Sequence, residues 1–233
     1  MPEEYSVRAI AHVRSDFDSK FGIPRQSGVV PELEARVIFE PDYRDIEAFR
    51  GLENCSHIWL IWLISGNVRD GWLPTVRPPR LGGNVRWGVF STRSPYRPNP
   101  IGLSCVRLAG VDLHTKDGPV LRILGADLMD GTPILDIKPY APYTDSVPGA
   151  TNGIAKPGWE RGLTVECPDE LLSRLPENKR SAALSVLAED PRPAYKQDSD
   201  RIYGMGFAGF DIRFTVADGI LRVCDIHKKE ETI

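Results

Sequence analysis

Segments of strand character dominate the first two-thirds of this 233-residue chain. They run over 5–13, 33–40, 57–64, 84–90, 103–113, 119–128 and 132–140, and each mixes β-branched or aromatic residues with polar ones. The richest apolar run, "HIWLIWLI" (57–64), predicts a strand buried on both faces. Turn chemistry separates the segments: "KDG" (116–118) reads as a hairpin turn and "MDG" (129–131) as another tight turn. One short helix fits 45–52, where Ile46 and Phe49 share a face and Gly51 suits the C-terminal end. Closely spaced strands with few helices predict a mainly β fold, a small antiparallel or mixed β-barrel.

The pattern changes after residue 146. Residues 147–161 have the Pro/Gly/Asn composition of a linker or long loop. Two helices follow at 168–175 and 177–190, with Leu171, Leu172 and Leu175, then Ala183, Leu184 and Leu187, at helical spacing. A hairpin over 209–226 turns at Asp218-Gly219. The division is therefore a barrel at 1–146, a linker at 147–161, and a smaller C-terminal α+β domain at 162–233. The last is small enough to need a packing partner, either the barrel or another chain.

Composition narrows the function classes. A hydrophobic content of 41% and a charged content of 26% describe a globular domain with a real core. No apolar run is long enough for a membrane helix, and the N-terminus lacks the apolar stretch of a signal peptide. Cys55, Cys105, Cys167 and Cys224 lack metal-site spacing, so no metal is expected; they read as reduced thiols in a cytoplasmic protein. The net charge of −3 hides an asymmetry: residues 71–107 hold Arg77, Arg80, Arg86, Arg93, Arg97 and Arg107 with no Asp or Glu. All are arginines, whose planar fork suits phosphate and carboxylate, and they alternate with Trp72, Trp87 and Tyr96.

One motif is a decoy. "GMGFAG" (204–209) spells G-x-G-x-x-G, but a strand follows it where a dinucleotide site needs a helix. His12, His57, His114 and His227 are scattered without sequence partners. No phosphate-binding P-loop, serine elbow or zinc-protease motif occurs. What remains is a set of loops: "FGIPRQSG" (21–28), "LISGN" (63–67), the arginine-rich 76–104, and "GADLMDGTPILDIKPY" (125–140), which gathers Asp127, Asp130 and Asp136 with Lys138 and Tyr140. Singly, each reads as a turn shaped by Pro, Gly or Asp. Together, acid in one loop and arginine in another predict a pocket for a ligand bearing both an amine and a carboxylate or phosphate.

"PRLGGN", "TRSPYRPNPIGLS" and "DGTPILDIKPY" together resemble the TsaA-like family of S-adenosylmethionine-dependent tRNA methyltransferases. The tail "DPRPAYK" (190–196) and the strand after it resemble the C-terminal domain of bacterial members. The resemblance implies a homodimeric barrel that methylates N6 of threonylcarbamoyladenosine at position 37, beside the anticodon. It implies S-adenosyl-L-methionine contacts at Pro24, Arg25, Gln26, Ser65, Gly66, Arg93, Leu103, Ala126, Asp127 and Leu128. In that reading Arg25 or Arg93 pairs the cofactor's carboxylate, Asp127 its ammonium or ribose, and the Leu103 and Leu128 side chains flank its adenine.

Asp130, Asp136 and Tyr140 are the candidate catalytic acceptors for the nitrogen's proton. The tRNA anticodon stem-loop would meet Arg77, Arg80, Arg86, Tyr96, Arg97, Asn99 and Lys138, with Arg192, Tyr195 and Lys196 of the C-terminal domain on the stem. Two other classes stay open on residues alone: a non-catalytic RNA- or nucleotide-binding module, and a small-molecule S-adenosylmethionine-dependent enzyme.

Overall fold

A computed structural model describes residues 3–67, 71–78, 85–151, 162–192, 198–199 and 201–230. Six strands close into a barrel: β1 (Ala11–Arg14), β2 (Glu34–Phe39), β3 (His57–Leu63), β6 (Ile101–Thr115), β7 (Gly118–Leu124) and β8 (Pro133–Pro139). Their order around the barrel is β1-β2-β7-β6-β3-β8, and every neighbouring pair is antiparallel. Alternate residues point inward to form the core, among them Val13, Val37, Ile58, Leu60, Val106, Leu121, Ile123 and Ile134. Two short strands, β4 (Thr75–Val76) and β5 (Trp87–Gly88), pair apart from the barrel.

The differences from the sequence pattern have local causes. β3 buries only its inward face; Trp59 and Ile61 on the outer face are half-buried because no second layer covers them. The segment 84–90 is described from residue 85, and there only Trp87–Gly88 is strand. The chain then coils into a turn at Val89–Ser91, where the Ser91 and Thr92 hydroxyls donate to the carbonyls of Gly88 (2.7 Å) and Val89 (2.8 Å). Such local side-chain bonds compete with a ladder. The helix expected at 45–52 is instead two 3-10 turns, Ile46–Phe49 and Leu52–Asn54. The first strand begins at Ala11, not at residue 5.

β7 stops at Leu124, short of the expected residue 128. Gly125 adopts φ +74, a left-handed conformation that glycine takes without steric cost. A Cβ there would also stand 3.2 Å from the Cα of Gly28. Gly125 N–H donates to the Leu33 carbonyl, and the Gly28 N–H donates to the Gly125 carbonyl, both at 2.8 Å. These two bonds stitch the β1–β2 connection to the β7–β8 connection.

The C-terminal part forms a second sheet of β9 (Thr164–Glu166), β10 (Tyr203–Phe207), β11 (Phe210–Ala217) and β12 (Ile220–Lys228), in the order β10-β11-β12-β9. β9, which lies parallel to β12, and β10 were not legible in the sequence. β10 takes up most of "GMGFAG", so those glycines line a strand and its turn. After the one-turn α1 (Pro142–Asp145), helices α2 (Asp169–Leu172) and α3 (Glu177–Ala188) accompany the sheet, and α3 packs Ala182, Ala183, Val186 and Leu187 into its core.

That second core is not made by the C-terminal segment alone. Phe17, Val30 and Leu33 of the β1–β2 connection are buried in it. Phe17 meets Phe207 edge-on at 5.4 Å, and Phe21 stacks on Phe214 at 6.5 Å. Polar contacts close the seam. Lys179 pairs with Asp16 at 2.7 Å with both side chains mostly buried, Lys229 pairs with Asp18 at 2.6 Å, and the Ala208 N–H donates to the Asp16 carbonyl at 2.8 Å. The linker expected at 147–161 lies mostly outside the described residues, since 152–161 are not among them.

Candidate functional site

Antiparallel order decides which loops meet. Three connections leave the same end of the barrel: residues 15–33 between β1 and β2, 64–100 between β3 and β6, and 125–132 between β7 and β8. Pro24, Arg25 and Gln26 lie on the first; Ser65, Gly66 and Arg93 on the second; Ala126, Asp127 and Leu128 on the third. Leu103 sits near the start of β6, paired with Ile61 near the end of β3. Positions scattered over about a hundred residues of sequence therefore surround one barrel mouth.

Side chains tie the connections together. Gln26 Nε2 donates to the Arg25 carbonyl at 2.6 Å, and Arg93 Nη1 donates to Gln26 Oε1. Lys20 Nζ donates to the Gly66 carbonyl, linking the first connection to the second. Asp127 is the centre of the mouth. Burial pushes its carboxyl above the ordinary range, while the Ser104 hydroxyl, its own and the Ser27 backbone amides, and the nearby Arg93 guanidinium pull it back. Ser104 Oγ donates to Asp127 Oδ1 at 2.7 Å and accepts from Trp62 Nε1 at 3.0 Å.

The mouth has the donor set that a zwitterionic, nucleoside-bearing cofactor needs. A carboxylate (Asp127) lies near the exposed Arg93, Arg25 is exposed on the first connection, and Leu103, half exposed, adds apolar surface at the start of β6. One detail of the sequence reading is corrected: Leu128 is 1% exposed inside the barrel core, so its side chain does not flank a base. Only its backbone is offered, and its carbonyl already accepts from Ser15 Oγ at 2.8 Å. Ala126 is likewise buried.

The three catalytic candidates lie elsewhere. Asp130 is held by Arg14 Nη1 and the Ser15 N–H, each at 3.0 Å, and faces the seam with the C-terminal sheet. Tyr140 begins past the far end of β8, where its N–H donates to the His57 carbonyl at 3.0 Å and its ring packs near Trp59. That is the length of β3, about 20 Å, from the mouth. Asp136 pairs across β3 with Ile61, which pairs with Leu103, so Asp136 stands two strands from Leu103, about 10 Å away on the same outer face. Lys138 forms an ion pair with it at 2.8 Å.

The RNA candidates divide in two. Arg77, Arg86 and Asn99 are exposed, with Arg86 reaching Thr75 Oγ1 at 3.3 Å. Arg97 instead folds inward: it donates to the Thr92 carbonyl at 2.6 Å and lies 5.8 Å over the Phe90 ring. Tyr96 is half-buried. Arg192 holds Asp190 through two bonds, at 2.8 and 3.0 Å, with a side chain only 10% exposed. Arg80, Tyr195 and Lys196 lie outside the described residues.

Sequence reasoning missed Lys20, Trp62 and Ser104. A signal for Ser104 existed: it occupies an inward position of β6, between Gly102 and Val106, where alternation calls for an apolar residue.

Comparisons with known proteins complete the picture. Residues 12–146 match the family model described as the tRNA-methyltransferase O N-terminal domain, and 161–229 match that of the TrmO C-terminal domain. The chain is 41% identical over 225 residues to the Escherichia coli (strain K12) tRNA (adenine(37)-N6)-methyltransferase, covering 92% of this chain and 94% of that one. It is 40% identical over 231 residues to a putative S-adenosylmethionine-dependent methyltransferase RcsF of Pseudomonas aeruginosa, covering 95% and 97%. A crystal structure of TrmO from Pseudomonas aeruginosa superposes with a TM-score of 0.76 at 36% identity, covering 97% of this chain and all of that one.

Proposed function

The chain belongs to the tRNA-methyltransferase O family, and from that premise we propose that it moves a methyl group from S-adenosylmethionine to N6 of adenine 37 in tRNA, beside the anticodon. The observation that carries this reading is the convergence of Gln26, Arg93 and Asp127 at one barrel mouth, within a chain that matches the family over both domains. The finer substrate is the threonylcarbamoyl form of that adenosine, as the sequence resemblance implies.

The residues present fit the cofactor. Asp127 would hold its cationic side, Arg93 and Arg25 its carboxylate, the Ser65-Gly66 backbone would border it, and Leu103 would cover the adenine. When bound, the cofactor supplies a methyl group activated by a sulfonium. The protein's part is alignment, because in-line transfer depends on holding acceptor nitrogen and methyl in register. Asp136, on the same outer face as Leu103, is the carboxylate that would take the nitrogen's proton once released from Lys138; Asp130 faces the seam with the C-terminal sheet and Tyr140 is distant. Arg77, Arg86 and Asn99 meet anticodon-loop phosphates.

The active unit is a homodimer in the cytoplasm. Exposed Phe90, Trp72, Ile101 and Leu103 form apolar surface beside the mouth, and a second copy seated there would close it over the cofactor. The unpaired state of all four cysteines suits a reducing compartment.

Nucleoside analysis of bulk tRNA from cells with and without the gene tests the reaction. Loss of the N6-methylated threonylcarbamoyladenosine is the expected result, and an unchanged nucleoside profile would overturn it. Sedimentation of the purified protein tests the dimer.

A further inference from the structure

Ser104 is one of two buried polar side chains among the described residues. The other, Thr132, satisfies itself locally on the Met129 carbonyl at 2.7 Å. Ser104 instead connects two side chains, and their chemistry fixes the direction of the connection. An indole nitrogen only donates, so Trp62 Nε1 must give its proton to Ser104 Oγ across 3.0 Å. The single hydroxyl proton of Ser104 is then left for Asp127, 2.7 Å away. Asp127 receives a donor whose orientation is set from inside the barrel.

Gly102 completes the arrangement. It pairs with Trp62 across β3 and β6, and any Cβ there would overlap the indole ring. The ring therefore lies against bare backbone, which aims Nε1 at Ser104. We infer that Trp62, Ser104 and Gly102 form a positioning relay whose task is to keep Asp127 an ionised acceptor aimed at a cationic group of the cofactor. None of the three touches the transferred methyl in this reading; they act through Asp127.

The groups facing Asp127 support that role. Ser104 from β6, the Ser27 amide from the first connection and Arg93 from the second all favour the charged form, against the desolvation that opposes it. Ser104 is the strongest of these opposing influences. Without it, burial would leave a carboxyl that takes up a proton more readily and loses its hold on a cation. The inference rests on the proposed reaction for the identity of the cation, but the relay itself belongs to the cofactor-free protein.

Two measurements separate those claims. In the first, the Trp62 indole N–H resonance is followed by NMR against pH without cofactor, in the parent, Ser104→Ala and Asp127→Asn. A titration present in the parent and lost in both variants is expected; a parent resonance indifferent to Asp127→Asn would overturn the relay. In the second, calorimetry measures binding of S-adenosylmethionine and S-adenosylhomocysteine between about pH 5 and 8. Ser104→Ala should weaken S-adenosylmethionine about tenfold and move the acid limb of binding upward in pH, while Ser104→Thr, which keeps the hydroxyl, restores both. Equal losses for both ligands would assign Asp127 to the ammonium they share. A loss confined to S-adenosylmethionine would assign it to the sulfonium. No loss and no shift of the acid limb would refute the role. A parent that binds neither ligand would defeat the proposed reaction while the NMR titration still decides the relay.

Discussion

The two proline-bearing connections that meet over the barrel mouth are held in different ways. Residues 15–33 are anchored from behind by a second hydrophobic core, through Phe17, Phe21, Val30 and Leu33, and by the Asp16–Lys179 and Asp18–Lys229 pairs. Residues 85–100 have no such core behind them and are held by hydrogen bonds: β5 pairs with β4, Arg86 reaches Thr75, and Arg93 reaches Gln26. Arg97, Thr92 and Ser91 bond carbonyls of their own segment, and Phe90 stands 70% exposed. Proline limits φ in both, but only the first is fixed by burial. A small cofactor benefits from the anchored loop, because less ordering of the protein remains to be done on binding. The proposed nucleic-acid loop suits the second, where Arg86, Phe90 and Asn99 stay exposed.

The C-terminal domain thereby supports one connection of the proposed cofactor site. It forms the wall behind the loop bearing Pro24, Arg25 and Gln26, and Arg192, expected on the RNA side, is engaged in its own ion pair.

Perturbing each loop should expose the contrast. The largest effect is expected from Phe17→Ala, which empties a fully buried aromatic position in the shared core and should cost about 3–5 kcal/mol in denaturant unfolding. Cofactor affinity measured under folded conditions should fall with it; unchanged affinity would detach the loop from the domain behind it. Next, Arg93→Ala removes the contact that joins Gln26 to the mouth and should weaken S-adenosylmethionine binding by about 1.5–3 kcal/mol in calorimetry, with the melting temperature little changed.

Asp127→Asn should do the opposite to stability. Burial raises the folded-state pKa, so the folded protein holds the proton more tightly than the unfolded chain. The stability this contributes is present below the unfolded value of about 3.9 and is lost as pH rises through the folded value. The variant escapes that loss. It should be more stable than the parent at neutral pH, with the gap closing in thermal melts as pH falls toward the unfolded value of about 3.9. It should also lose cofactor binding. The smallest effect on the stability of the single chain is expected from Phe90→Ala, within about 0.5 kcal/mol, because the ring is mostly exposed there. Sedimentation should nonetheless show a weakened dimer, and steady-state kinetics a raised KM for both tRNA and cofactor.

Much of the barrel was legible because its strands bury one face, and alternation in 33–40, 103–113 and 132–140 reports that directly. The unbroken apolar run 57–64 marked a strand but not that only one of its faces is buried. β9 and β10 escaped because one is three residues long and the other is half glycine and apolar, with no alternation to read. At the site, the loop residues were found as charged or proline-bearing exceptions to the pattern. Trp62 was hidden by the opposite property, since an aromatic in an apolar strand looks like core.

By itself the sequence determined that the chain is mainly β, where most barrel strands lie, and that six arginines share a stretch without acid. These are local properties, written in spacing and composition. Only the tertiary structure decided that three connections leave one barrel end, that Leu128 faces the core while Asp127 faces the mouth, and that Ser104 links Trp62 to Asp127. It also decided that the C-terminal domain buries one of those connections. The reason is physical: strand order and register set which side chains meet, and both are fixed by long-range pairing that no local pattern records.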